Sequence, residues 1–169
     1  MKEVVHMMPI LSNLSFLVIE DDEPKMRAIL SLLAEMGVGP EGIFCARSVA
    51  SALEVISDCE IGFAIVDMSL PAFDFARDVS GGGQPQGTGG RDILRFLEDE
   101  QPNARAVVLT QYQEFDLGRA FSSPQKLEQM VQQMKSDFSS LLLGVISYSG
   151  QRGKWRDELR DIIFSLGEV

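Results

Sequence analysis

Five short runs, dominated by apolar residues and separated by stretches of helical period, leave this chain few folds to choose from. The runs are Phe16–Ile19, Ile43–Ala46, Ile61–Val66, Arg105–Thr110 and Gly144–Ser147. Ile61–Val66 is apolar on both faces, as a strand must be when helices cover both sides of a parallel sheet. Between the runs the apolar period changes from two to nearly four. Pro24 suits the first turn of a helix carrying Ile29, Leu32, Leu33 and Met36 on one face, with Gly37 as its stop. Ser48 is a candidate cap for a helix with Val49, Ala52, Leu53 and Ile56. Arg91 opens a third helix (Ile93, Leu94, Leu97) that ends before Pro102. A fourth runs from Pro124 through Leu127, Met130, Val131, Met134 and Phe138, and a fifth buries Trp155, Leu159, Ile162, Ile163 and Leu166. Strand and helix alternating five times predict an α/β fold: a doubly wound, five-stranded parallel sheet in a three-layer α/β/α sandwich.

In such a sheet every strand delivers its last residue to one edge, where ligands of open α/β folds bind. Here the first strand runs into Glu20, Asp21, Asp22 and Glu23, the third into Asp67, and the fourth ends on Thr110. The weaker fifth ends at Ser147-Tyr148. Carboxylates and a hydroxyl gathered there suit a divalent cation beside a carboxylate able to act as a nucleophile.

With 169 residues, one domain with a full core is expected. Twenty-five acidic against fifteen basic side chains give a net charge of −10, which argues against a nucleic-acid surface. Cys45 and Cys59 are too few for a disulfide framework and are expected to be small core-filling thiols. Residues 1–15 are interrupted by Glu3, His6, Pro9 and Asn13, so no signal-peptide core forms. No run approaches the ~20 apolar residues of a membrane helix, so a cytoplasmic protein is expected, without membrane contact. Ser80 to Gly90, with six glycines among its eleven residues, is too flexible in composition to bury a core. Its Gly87-Thr88-Gly89-Gly90 lacks the lysine and the strand context of a phosphate cradle and is read as linker.

The residues at the strand ends resemble the receiver domain of two-component response regulators, of single-domain chemotaxis type and flavodoxin-like in architecture. The resemblance covers residues 16–169, with 1–15 as an N-terminal extension and long segments at about 73–90 and 111–143 as insertions. Aligned without gaps, Glu20 and Asp21 take the family's acidic-pair positions. A one-residue shift makes the pair Asp21 and Asp22. Asp67 falls at the phosphoacceptor position, with Pro71 four residues on, and Thr110 at the hydroxyl that contacts the phosphoryl group. The resemblance implies that Asp67 accepts a phosphoryl group from a histidine kinase or histidine phosphotransfer protein. It also implies Mg²⁺ on Asp21, Asp67 and the backbone carbonyl of Ser69, with Glu20 acting through water. The chain ends soon after its fifth helix, so signalling through contacts with a downstream protein is expected, with no enzyme activity beyond self-phosphorylation and self-dephosphorylation.

Three residues depart from the family pattern. Tyr148 stands where a lysine that pairs with the phosphoryl group is expected, Gln111 where the residue is small, and Val145 where it is aromatic. Arg152 or Lys154 could supply the missing charge from the following loop. Tyr148 and Gln111 favour an alternative, a pseudo-receiver that binds partners without a phosphorylation cycle. A phosphatase of the haloacid dehalogenase type would need a second aspartate where Ser69 stands. His6, the sole histidine, precedes the first strand and suits no relay. Met130 and Met134 read as core, and Arg152, Lys154, Arg156 and Arg160 as a solvated basic face paired with Asp157, Glu158 and Asp161.

Overall fold

The five apolar runs pair into one parallel sheet of order β2-β1-β3-β4-β5. The structure, a computed structural model, describes residues 11, 13–73, 89–111, 124–150 and 152–167. Its elements are β1 (Phe16–Ile19), α1 (Glu23–Glu35), a 3₁₀ turn (Pro40–Gly42), β2 (Ile43–Ala46), α2 (Val49–Asp58) and β3 (Phe63–Val66). Then follow α3 (Gly89–Glu100), β4 (Arg105–Thr110), α4 (Pro124–Asp137), β5 (Leu142–Ser147) and α5 (Trp155–Ser165). This is the doubly wound, flavodoxin-like sandwich.

Strand residues alternate between two cores. Phe16, Val18, Phe63, Ile65, Val107 and Leu109 face α1 and α5, meeting Met26, Ile29, Leu32, Leu33, Trp155, Leu159 and Ile163. Leu17, Ile19, Ala64, Val66, Ala106 and Val108 face α2, α3 and α4, meeting Ala52, Ile56, Ile93, Leu94, Leu97, Met134 and Phe138. Two-sided burial is why the central strands read as unbroken apolar runs.

Local chemistry sets the helix ends. The Asp22 carboxylate accepts from the Lys25 amide at 3.0 Å, with Pro24 in the first turn behind it. Gly37 ends α1 at φ 87°, a left-handed turn that a side chain would strain. Ser48 caps α2 in a box with Ser51. On the surface, Glu35 accepts two bonds at 2.8 Å from Arg156, which ties α1 to α5.

Four expectations need correction. β3 begins at Phe63, not Ile61: the Ile61 amide donates to the Gln101 side chain, and Gly62 and Phe63 donate to the Ser15 carbonyl. β5 begins two residues earlier than Gly144, because Ala106 donates to the Leu141 carbonyl and draws Leu142 into the ladder. Cys45 is exposed: β2 is an edge strand, and of its residues only Ala46 is buried. Cys59 does pack against the α2–α4 core.

The fourth correction concerns the glycine-rich stretch. α3 begins at Gly89, and Gly89 and Gly90 are both buried. The Gly90 amide donates to the Met68 carbonyl at 3.2 Å, so the helix is seated on the turn that follows Asp67. Residues 74–88 and 112–123, most of the first insertion and part of the second, lie outside the described residues, as does His6. Among the described residues, no helix is long and apolar enough to cross a membrane.

Candidate functional site

Register decides which side chains meet. Ile19 pairs with Val66, so the residues that follow them, Glu20 and Asp67, leave neighbouring strands at one level. Backbone bonds hold both: the Asp67 amide donates to the Ile19 carbonyl and the Glu20 amide to the Ala46 carbonyl, each at 3.0 Å. Glu20 and Asp67 are 1% and 2% exposed, whereas Asp21 faces solvent. One carboxylate oxygen from each of Glu20, Asp21 and Asp67 lies within 4.8 Å of the others. Asp22, the alternative partner, is outside this cluster; its carboxylate is committed to capping α1, and its amide donates to Glu20 Oε1 at 3.0 Å.

The other candidates sit on the same edge. Thr110 is the buried last residue of β4, and its carbonyl accepts from the Tyr148 amide at 2.9 Å. Ser69 is half-buried in the turn two residues after Asp67, and Gln111 is half-buried after Thr110. Arg152 and Lys154 are exposed on the loop before α5, and neither supplies a buried charge to the site.

The cation comes instead from a residue not expected there. Lys25, in the first turn of α1, is fully buried, with its ammonium 2.7 Å from Glu20 Oε2 and 2.9 Å from Asp67 Oδ1. It lies 5.4 Å from the centroid of the Tyr148 ring, within cation–π range. Tyr148 in turn packs on Trp155, with ring centroids 5.2 Å apart. The sequence held a signal for this. Lys25 precedes Ile29 by one helical step, which places it on the buried face of α1.

Electrostatics follow from burial. Desolvation pushes the Glu20 carboxyl up, Lys25 pulls it part of the way back, and it titrates at about 7. Burial alone would lower the Lys25 ammonium, but Asp67 and Glu20 outweigh it and hold it above the usual lysine value. Burial also raises the Tyr148 phenol, keeping it neutral. Glu20 therefore binds a proton more tightly in the folded chain than in the unfolded one, where a carboxyl titrates near 4.5. The stability this contributes is fully present below 4.5 and is lost as pH rises through about 7. Without Mg²⁺, unfolding free energy is expected to rise by up to roughly 3 kcal/mol between pH 7.5 and 4.5. Urea titrations across that range check it. A Glu20→Gln variant with an unchanged pH slope would refute the assignment.

The donor set fits Mg²⁺. That ion prefers hard oxygens, keeps several waters, and takes only one or two carboxylates from a protein. Two buried carboxylates with an exposed third offer those oxygens and an open side.

The comparisons agree with this arrangement. No protein-family model matches the chain. Over 98 residues it is 31% identical to the photosynthetic apparatus regulatory protein RegA of Rhodovulum sulfidophilum, a match covering 58% of this chain and 44% of that protein. The matched part thus spans less than half of that relative's length. Among solved structures, a CheY-like response regulator receiver domain protein from Methanospirillum hungatei superposes with a TM-score of 0.58 at 18% identity, covering 92% of this chain and 96% of that one. The CheX–CheY–BeF₃–Mg²⁺ complex from Borrelia burgdorferi gives 0.60 at 15% identity, covering 91% and 89%. With its 2-1-3-4-5 strand order and an acidic cluster at the carboxyl ends of β1 and β3, the chain has the fold of a response regulator receiver (CheY-like) domain.

Proposed function

We propose that this domain accepts a phosphoryl group on Asp67 and signals through the protein contacts that follow. One observation carries the reading: Asp67, directly after β3, is a buried carboxylate clustered with Glu20 and Asp21 and paired with the ammonium of Lys25. An Asp67 oxygen attacks phosphorus, the bond from phosphorus to the donor's leaving atom breaks, and its electron pair leaves with the donor. With a phosphohistidine donor the imidazole nitrogen leaves and takes a proton from solvent. The product is an acyl phosphate.

Glu20, Asp21, Asp67 and the Ser69 carbonyl would hold Mg²⁺, which when bound neutralises charge as an anionic carboxylate meets an anionic phosphoryl group. Thr110, buried at the end of β4, would donate its hydroxyl to a phosphoryl oxygen. The donor is a histidine kinase or histidine phosphotransfer protein, and the setting is the cytoplasm. The B. burgdorferi protein of this fold binds CheX in the presence of BeF₃ and Mg²⁺, which supports signalling by protein contact. In this reading the functional unit spans 16–169, with insertions at about 73–90 and 111–143.

A second reading has one observation in its favour. Lys25 already neutralises Glu20 and Asp67, as in an interaction module that needs no phosphorylation.

Intact mass after incubation with acetyl phosphate and Mg²⁺ separates the two. One phosphoryl adduct (about 80 Da) is expected on the wild type, and none on Asp67→Asn or with the metal chelated. No adduct on a wild type that is folded by circular dichroism would leave the interaction module standing.

A further inference from the structure

Three carboxylates cluster at this edge, and the phosphoryl group proposed for Asp67 brings more negative charge to the same spot. A divalent ion bound by the acids leaves at least one negative charge uncompensated once the phosphoryl group is in place. A fixed cation is then needed that neither diffuses away nor protrudes into solvent. At position 148 the chain has a tyrosine, and the nearby Arg152 and Lys154 are exposed.

We propose that Lys25, entering from the first turn of α1, is this fixed cation and pairs with the phosphoryl group on Asp67, with the Tyr148 ring as the floor that holds it. The inference rests on Asp67 being the phosphoacceptor.

Three observations lead to it. Lys25 is fully buried and its ammonium already touches an Asp67 oxygen, so it can pass to an oxygen of a group bonded there without leaving the site. Its amide is held by the Asp22 cap, which fixes the start of α1 and hence the direction of the side chain. Its ammonium lies over the face of an aromatic ring, which attracts a cation without neutralising it. The ring is itself wedged against buried Trp155.

The same geometry has a second consequence. An ammonium 2.7–2.9 Å from Glu20 and Asp67 repels a divalent ion sharing those carboxylates. Removing it should tighten Mg²⁺ binding while slowing phosphoryl uptake. A merely structural lysine would move both in the same direction, because a collapsed site loses its metal as well.

The test compares wild type, Lys25→Met, Lys25→Gln and the double variant Lys25→Met/Tyr148→Lys. Mg²⁺ affinity is read by calorimetry, and adduct formation from acetyl phosphate by intact mass. Lys25→Gln keeps a side chain of similar reach and a hydrogen-bond donor if the methionine variant fails to fold. Both single variants are expected to bind Mg²⁺ roughly tenfold or more tightly than wild type. Both are expected to take up phosphoryl about a hundredfold more slowly. The double variant, with an ammonium restored from strand five, should recover most of the wild-type rate. Uptake at the wild-type rate in folded Lys25→Gln would overturn the proposal, as would loss of uptake together with loss of Mg²⁺ binding. A wild type that takes no phosphoryl group fails at the prior step, the Asp67 assignment, and is distinguished by its missing adduct.

Discussion

Trp155→Ala is expected to lower the unfolding free energy by about 3–5 kcal/mol, a large share of what a domain this size possesses. Trp155 is the largest fully buried side chain, and it opens α5 against the sheet. Its indole N–H donates to the Gly150 carbonyl at 2.6 Å, which pins the loop after β5. Its ring supports Tyr148 on one side, and the Arg156 guanidinium lies 5.6 Å from the ring. Truncation leaves a cavity, removes the indole's bond to the loop and leaves a tyrosine without its backing. Trp155→Phe keeps most of the volume and should cost less. Urea unfolding followed by circular dichroism measures both; a loss under about 1 kcal/mol for the alanine variant would show that α5 docks through other contacts.

Gly90→Ala is the second large effect, and it falls on the site as well as on stability. A Cβ at Gly90 would lie 2.6 Å from the Asp67 carbonyl and 2.8 Å from the Met68 Cα. Both are backbone atoms, so no rotamer change relieves the clash; either α3 lifts or the turn after Asp67 moves. A cost of about 3 kcal/mol is expected, the upper end for overpacking, with phosphoryl uptake on Asp67 reduced in the folded fraction. Gly144→Ala is the control. Its Cβ would meet the end of the Ile162 side chain at 3.0 Å, which can turn aside. Equal stability losses in the two variants would refute the distinction between yielding and unyielding neighbours.

These two residues also show what the sequence could and could not convey. The sheet was legible because Ile65-Val66 and Val107-Val108-Leu109 are apolar on both faces, a pattern that two helical layers impose. Glu20, Asp67 and Thr110 were legible because each ends such a run, and parallel strands bring their ends together. Gly89-Gly90 read as linker because glycine composition signals looseness, whereas here the missing side chain lets a helix sit on the turn after Asp67. Lys25 was overlooked for a different reason. A lysine is presumed solvated, and its partner Asp67 is 42 residues away, so only its place on the Ile29 face of α1 marked it. Cys45 misled in the opposite sense: an apolar run does not reveal which strand lies at the sheet's edge.

The line from Asp67 through Lys25 and Tyr148 to Trp155 gives the molecule a built-in optical reporter. Trp155 is the sole tryptophan in the chain, three contacts from the Asp67 carboxylate. Indole emission responds to nearby charge and to the packing of adjacent rings. Any event that draws the Lys25 ammonium away from the Tyr148 ring changes the field at that single fluorophore. Occupancy of the acidic edge can therefore be followed in real time on the unlabelled protein.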